Sequence, residues 1–392
     1  MTTQFRWWRL GMCVLVLFAE ACSDKDAYVP PDLFYLYANY KVGKNPTAIK
    51  TGDFNQDGFT DLVTSNIAAN SLSFLMGNGD GSFQNQVSLP VCREPRNLDI
   101  ADFNQDGHQD IVVACAGSDQ VIVLLGHGDG SFEREGQYPV NRTPVSIADG
   151  DFNSDTLLDL VVALRNDKLQ LFFGYGNGKF RRGPLYEYGD TPTSVAVADL
   201  NRDGNLDLAV TNGGPMSSAV SIWLGQGDGT FLMPRDYRTG KRPLSVSFAD
   251  FNVDGILDLL VVNGQMNTIT VFLGNGDGTF QDGLDAGGDA GPNHALAKDF
   301  NGDKIPDVAI VNIQSGSVSI LYGKGDGTFR YPPRHYTTPR GPFALTSLTI
   351  AVGREEQPGL AIANNAEGSV SIFLHHGLRS RAIHQQAAQG VS

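Results

Sequence analysis

The chain contains no G-x-S-x-G, no H-E-x-x-H and no C-x-x-C. The local signatures of a hydrolase nucleophile, a zincin centre and a redox dithiol are therefore absent. Histidine is scarce, at seven in 392 residues. His375, His376 and His384 fall near or in the C-terminal tail, His108 and His127 fall in loops, and His294 and His335 have no evident partner in sequence. There is no basic excess, since 29 Lys and Arg face 43 Asp and Glu for a formal charge of −14. With no recognition helix or aromatic platform apparent, that balance argues against a nucleic-acid partner. The one long apolar run, Leu10 to Phe18, is too short for a membrane span.

What the chain has instead is glycine, 46 residues of it, and one acidic pattern used again and again. In Asp102-Phe103-Asn104-Gln105-Asp106-Gly107-His108-Gln109-Asp110, side-chain oxygens occupy positions one, three, five and nine. Glycine at position six permits the turn that aims the carbonyl of position seven inward, which is the spacing of the first nine residues of an EF-hand loop. Hard oxygen donors without sulfur or imidazole favour Ca2+. The frame recurs at Asp53/Asn55/Asp57/Asp61, Asp151/Asn153/Asp155/Asp159 and Asp199/Asn201/Asp203/Asp207. Two more copies are Asp250/Asn252/Asp254/Asp258 and Asp299/Asn301/Asp303/Asp307. The position-seven carbonyls are those of Phe59, His108, Leu157, Asn205, Ile256 and Ile305. An ordinary turn needs one or two such residues rather than four in fixed register. Thr156 and Lys304 stand where the third and sixth copies lack the glycine, so those two loops are expected to be strained or to hold metal more weakly.

The loops lie between strands, not helices. Each is followed by a short apolar, β-branched run such as Ile111-Val112-Val113 or Leu259-Leu260-Val261-Val262, and no position-twelve Glu appears. From Pro46 the chain is periodic. A proline recurs at 46, 95, 144, 192, 243, 292 and 342, and each unit of about 49 residues carries an acidic loop, two strands, a G-x-G-x-G-x-F turn and a fourth strand. The expected fold is an all-β, seven-bladed β-propeller of four-stranded antiparallel blades. Unit seven stops after Ser369 to Leu374 without its Gly-rich turn, whereas Phe34 precedes Pro46 by the interval that separates Phe83 from Pro95. Residues 33–42 are therefore expected to supply the missing strand and close the ring, removing two exposed sheet edges.

Taken together, D-x-N-x-D-G-x-x-D and L-G-x-G-D-G-[ST]-F over roughly residues 33–377 resemble the FG-GAP/VCBS repeat family, which includes the integrin α-subunit head. The resemblance implies calcium on the loops of one rim and a ligand or partner on the opposite face. Unit seven departs from it, because Val352 to Gly359 carries no acidic loop, and its blade is expected to be metal-free. Up to six calcium ions are expected, in a structural role. Each loop crowds carboxylates that repel one another without a cation, and no acid or base accompanies them as a catalytic metal requires.

The termini and the opposite face complete the reading. Residues 1–21 read as a signal peptide, with Arg6 and Arg9 before the apolar run and Ala19 and Ala21 offering a cleavage site. Lipidation at Cys22 and plain secretion both remain open, and either exports the protein to the cell surface, periplasm or exterior. Cys13 leaves with the signal. Residues 22–32 form a linker, 33–377 the propeller and 378–392 a tail. Cys92, just before Pro95, and Cys115, ending a second strand, are brought together by antiparallel pairing and form a disulfide candidate. Basic residues cluster beside the prolines: Lys44, Arg93, Arg96, Arg142, Lys241, Arg242 and Arg340. They form a candidate face for an anionic protein or glycan, and asparagines ending second strands, Asn212 and Asn263 among them, are candidate hydrogen-bonding groups on it or turn caps. Gly213 to Ser218 is the longest departure there. The expected function is a binding or adhesion module. The alternative is a calcium-dependent, lyase-like enzyme on acidic polysaccharides.

Overall fold

Seven four-stranded sheets close into a ring in the computed structural model, which describes residues 30–215, 217–352 and 355–376. The expected signal peptide over residues 1–21, the lipidation candidate Cys22, most of the expected linker, Met216 and the expected tail lie outside the described residues. No helix among the described residues is long and apolar enough to cross a membrane.

Each blade is an antiparallel meander. Blade 2 runs through Pro95–Ala101, Asp110–Cys115, Gln120–Gly126 and Phe132–Pro139. The second strand is buried on both faces in every complete repeat, which explains why it reads as a continuous apolar run rather than an alternating one. Its two faces serve different neighbours. Ile111 and Val113 pack into blade 1, while Val112 and Ala114 pack into blade 3. Seven buried clusters, one in each cleft between adjacent blades, take the place of a single central core.

The first strands line the axis. Each opens on the recurrent proline and shifts register within two residues, as between Pro95 and Asn97 or between Pro292 and His294. Such a bulge re-aims side chains, and here it turns the residue after each proline, and in six blades the next one as well, toward the axial opening. Blade 7 replaces the acidic loop with length. Its first two strands run over Pro342–Val352 and Glu355–Asn364, eleven and ten residues against seven and six elsewhere.

The ring is closed by Phe34–Lys41, which pairs antiparallel with Ser369–His375. Phe34 occupies the place that the Phe of the Gly-rich turn holds in other blades. Its ring stands edge-on to Phe300 at 5.6 Å and to Tyr336 at 6.0 Å, and its amide donates to Tyr336 Oη at 3.2 Å. The same tyrosine-to-amide bond recurs from Phe83 to Tyr40, Phe180 to Tyr138 and Phe280 to Tyr237. Phe34→Ala is expected to cost about 3–5 kcal/mol of stability, against about 0.5 kcal/mol or less for Tyr37→Ala on the exposed side of the same strand. Phe34 is 1% and Tyr37 42% exposed, and the shift in urea midpoint measures the difference.

Candidate metal loops and the axial face

One set of hydrogen bonds recurs in the six acidic loops. In blade 2, Asp102 Oδ1 accepts from the Asp106 amide at 3.1 Å and Oδ2 from the Gly107 amide at 2.8 Å. Asn104 Oδ1 also accepts from the Asp106 amide, and Asp106 Oδ1 accepts from the His108 amide at 2.8 Å. In the first loop the Asp57 amide bonds Asp53 and Asn55 Oδ1, and in the third the Asp155 amide bonds Asp151 and Asn153. The Asp203 amide bonds Asp199 and Asn201, and the Asp254 amide bonds Asp250 and Asn252. The sixth loop makes one exchange: the Asp303 amide bonds Asn301 at 2.8 Å, while Asp299 Oδ1 accepts from Gly302 at 2.7 Å. Position five in turn fixes position seven, since Asp57, Asp155, Asp203, Asp254 and Asp303 accept from the amides of Phe59, Leu157, Asn205, Ile256 and Ile305.

Positions three and five differ from the simple ligand picture that the spacing suggests. In five loops they bond each other. Asn55 Nδ2 donates to Asp57 Oδ2 at 2.8 Å, Asn104 to Asp106 at 2.8 Å, Asn201 to Asp203 at 2.9 Å, Asn252 to Asp254 at 2.7 Å and Asn301 to Asp303 at 3.1 Å. Asn153 and Asp155 meet through the Asp155 amide instead. The physical reason is local, because an Asn side chain reaches groups two residues on. Asp57, Asp155, Asp203, Asp254 and Asp303 are moreover exposed at the tip of the loop. These residues are thus turn-holding partners first. The Asn-to-Asp bond uses the asparagine nitrogen and Oδ2 of the aspartate, so Oδ1 of each keeps a further lone pair.

Position nine does a second job that the spacing alone does not reveal. Asp110 is 0% exposed. Its carboxylate accepts from the Phe103 amide within the loop and from the Gly126 amide at the end of the third strand, both at 2.9 Å. Equivalent pairs are Phe54 and Gly77 on Asp61, Phe152 and Gly174 on Asp159, and Leu200 and Gly225 on Asp207. Phe251 and Gly274 bond Asp258, and Phe300 and Gly323 bond Asp307. The carboxylate therefore braces the loop to the third strand. Burial pushes Asp110 and Asp159 up to about 6 and Asp307 up to about 7, with nearby loop carboxylates adding to the rise and the two amides opposing it.

The donor types suit a hard cation. They are Asp and Asn oxygens plus a backbone carbonyl, the set calcium takes. Among the described residues no three His, Cys, Asp or Glu side chains form a metal-holding cluster; a loop that took a cation would add the Asn oxygen and the position-seven carbonyl to its carboxylates. The third and sixth loops keep the position-six bond despite lacking glycine. Thr156 and Lys304 adopt φ of 69° and 68°, against 86° for Gly107, and their amides still bond Asp151 and Asp299 at 2.8 Å. The expected weakness of these loops therefore resides in backbone strain.

Position two joins neighbouring blades. The Phe54 carbonyl accepts from Gly130 of blade 2 at 2.9 Å, and Phe103, Phe152, Leu200 and Phe251 carbonyls likewise accept from Gly178, Gly229, Gly278 and Gly327. The rings meet as well, Phe103 with Phe180 and Phe152 with Phe231 at 5.7 and 5.8 Å.

On the opposite face the structure separates the sequence candidates. Arg142, Arg242 and Arg340 are exposed on the connections before Pro144, Pro243 and Pro342, and Arg96 is half-buried beside Pro95. Asn212 and Asn263 do not belong to a ligand face. They are 4% and 0% exposed, and their side-chain amides donate to Ser221 and to Thr270, each at 2.7 Å. Both brace the second strand to the third inside the blade. Cys92 and Cys115 are joined by a disulfide. The turn between second and third strands also ties adjacent blades: Asn70, Asp119, Asp167 and Asn267 accept from the amides of Glu94, Thr143, Thr191 and Gly291.

The FG-GAP-like repeat matches six overlapping stretches, residues 53–113, 102–162, 151–210, 207–261, 254–310 and 299–353. The chain is a member of the FG-GAP repeat family. Among curated proteins no sequence matches it. Solved structures share the fold of this FG-GAP propeller at low identity. BBS1N, solved in complex with ARL6DN, is 12% identical with a TM-score of 0.63 over 87% of this chain and 96% of its own. A virginiamycin B lyase from Staphylococcus aureus, solved with quinupristin, is 13% identical with a TM-score of 0.59 over 87% and 99%. A functionally unknown protein from Desulfotomaculum acetoxidans is 12% identical with a TM-score of 0.56 over 79% and 98%.

The loops of the FG-GAP propeller give the metal-free protein a definite pH dependence. Burial raises Asp61, Asp110, Asp149, Asp159, Asp207, Asp258 and Asp307, so without metal the native state binds more protons than the unfolded chain between about pH 4 and 7. Stability then falls as the pH rises through that window. His294, held neutral down to about 4 by burial, and His375, lowered by burial and by the neighbouring His376, oppose this as two groups against seven. Melting in chelator should occur at a higher temperature at pH 5.5 than at pH 7.5. Separately, Lys304→Gly should stabilise by about 0.5–1 kcal/mol by relieving left-handed strain, and Gly255→Lys should reverse that sign, both read from urea midpoints.

Proposed function

We propose that this FG-GAP propeller is an exported binding module whose six acidic loops hold calcium as a structural ion and whose opposite face captures an anionic protein or glycan. The observation that carries the reading is the shared donor frame of six loops on one rim, facing away from exposed Arg142, Arg242 and Arg340 on the other. Calcium supplies positive charge where loop carboxylates crowd one another. The chain's residues then divide the work: positions one, three, five and seven present oxygens, position nine braces the loop, and position two carries the effect into the next blade. The partner side follows from charge. Exposed guanidinium groups attract carboxylate- or sulfate-bearing surfaces and raise the rate of encounter. A structural neighbour, BBS1N, was solved bound to another protein, which is consistent with this use of a propeller.

The alternative, a lyase-like activity on acidic polysaccharides, draws on the axial channel, where His294 is buried beside Lys50, Asp99 and Asp149. Adding calcium to chelated protein should raise its melting temperature, with about 1.4 kcal/mol gained per site at ten times the dissociation constant. Asp102→Ala should remove one site's share. Polygalacturonate binding should weaken at least ten-fold in the Arg142→Gln/Arg242→Gln/Arg340→Gln variant and fall steeply with salt. Binding indifferent to both contradicts the anionic-partner reading, and shortening of the polysaccharide on incubation favours the lyase.

A further inference from the structure

The seven residues that follow the prolines form a ring around the axial opening, and they are not equivalent. Thr47, Thr193 and Asn293 are spent on the fold: their side chains donate to the carbonyls of Arg96, Pro243 and Phe343 in the next blade, at 2.9, 2.9 and 2.6 Å. Val145, Leu244 and Phe343 are apolar and line the opening. Arg96 is the one charged member. Beside it stands Arg165, the first residue of the turn after Asp159–Leu164, where the other blades carry the uncharged Ile67, Ala116, Gly213, Gly264, Ile313 and Asn365. Each guanidinium is held near its like, and among the described residues neither makes an ion pair with a carboxylate. Burial and the Arg165 charge lower the proton affinity of Arg96, with Glu94 the one acid acting against them.

The space they enclose is a built site. A cavity of about 160 Å³ is lined by both arginines, Asn97, His294, Leu244 and Phe343, and it continues into an axial channel of about 560 Å³ that shares Asn97 and His294. His294 Nδ1 is buried there without a hydrogen-bond partner, an arrangement that a bound polar group or water would satisfy. Asn97 spends its oxygen on the Ile147 amide at 3.4 Å, which leaves its NH2 group as a donor. Deeper in the channel, Lys50 neutralises Asp99 at 2.8 Å, so that carboxylate does not compete for the arginines.

We propose that the mouth of the axial channel binds one small carboxylate with an apolar arm, Arg96 and Arg165 holding the carboxylate and Leu244 and Phe343 covering the arm. Two guanidinium groups match a carboxylate's paired oxygens, and the rest of the wall mixes hydroxyl and amide groups with the apolar side chains of Val145, Leu244 and Phe343. A bare inorganic anion would leave the apolar arc wet. A neutral apolar ligand would leave the half-buried Arg96 and the exposed Arg165 beside it without a counter-charge. The proposal narrows the anionic-ligand reading of this face to one place and rests on that reading only for the sign of the charge.

Titrating the full mature chain with hexanoate, acetate and inorganic phosphate by calorimetry tests it. Hexanoate should bind saturably at millimolar concentration, one per chain, and more tightly than acetate or phosphate. Arg96→Gln and Arg165→Gln should each weaken hexanoate at least ten-fold with an unchanged thermal melt. Phe343→Ala should weaken hexanoate while leaving acetate as it was. Absence of saturable hexanoate binding overturns the site, as does hexanoate binding that ignores both arginine substitutions, or phosphate binding as tightly as hexanoate. Polygalacturonate binding on the same samples separates the two claims. If it persists while hexanoate fails, only the axial site is wrong; if hexanoate binds and polygalacturonate does not, the polymer-binding rim is wrong.

Discussion

A four-stranded blade has two apolar faces and cannot cover either of them by itself. Every other feature of this chain answers that constraint. The second strand, buried on both sides, sends alternate side chains into two different clefts, so no blade has a core of its own and stability resides in the seams. A seam at each end of an open stack would be exposed. Closure by Phe34–Lys41 removes both ends at once.

The seams are also where the acidic loops act. Position two of each loop is a Phe or Leu whose amide bonds the buried Asp of its own loop, and in five loops its carbonyl bonds the Gly-rich turn of the following blade. Loop geometry and inter-blade packing are thereby one system. An ion that fixed the loop would also fix the seam beside it, which is the physical reason to propose a structural rather than a catalytic role for calcium. Blade 7 shows the other solution, replacing the loop with a longer hairpin.

Much of this was legible in the sequence because the relevant signals are local and repeated. The proline period, the apolar second strands and the interval from Phe34 to Pro46 specify blade number and closure without knowledge of any contact. What escaped depends on hydrogen-bond geometry or on neighbours distant in sequence. Spacing marks Asn55 and Asp57, or Asn252 and Asp254, as oxygen donors, yet it does not reveal that each pair is also joined side chain to side chain. Asn212 and Asn263 look like surface caps at a strand end, but the pairing of second with third strand turns them onto Ser221 and Thr270. The tyrosine that accepts from the Phe83, Phe180 or Phe280 amide lies 42 or 43 residues upstream, and only a search for that interval across units would have exposed it. The axial mouth was least legible of all. Its lining comes one to three residues from each blade, most of them re-aimed by a bulge, and Arg165 enters it from a turn position that carries no charge in any other blade.

The central claim is that the loops are metal sites and that the seams depend on them. Equilibrium dialysis of the chain against calcium, with bound ion counted per chain, tests it most directly. The account predicts saturation near six ions, the number of acidic loops, with Asp102→Ala binding one fewer. A chain that retains its fold and binds no calcium at millimolar concentration would contradict it.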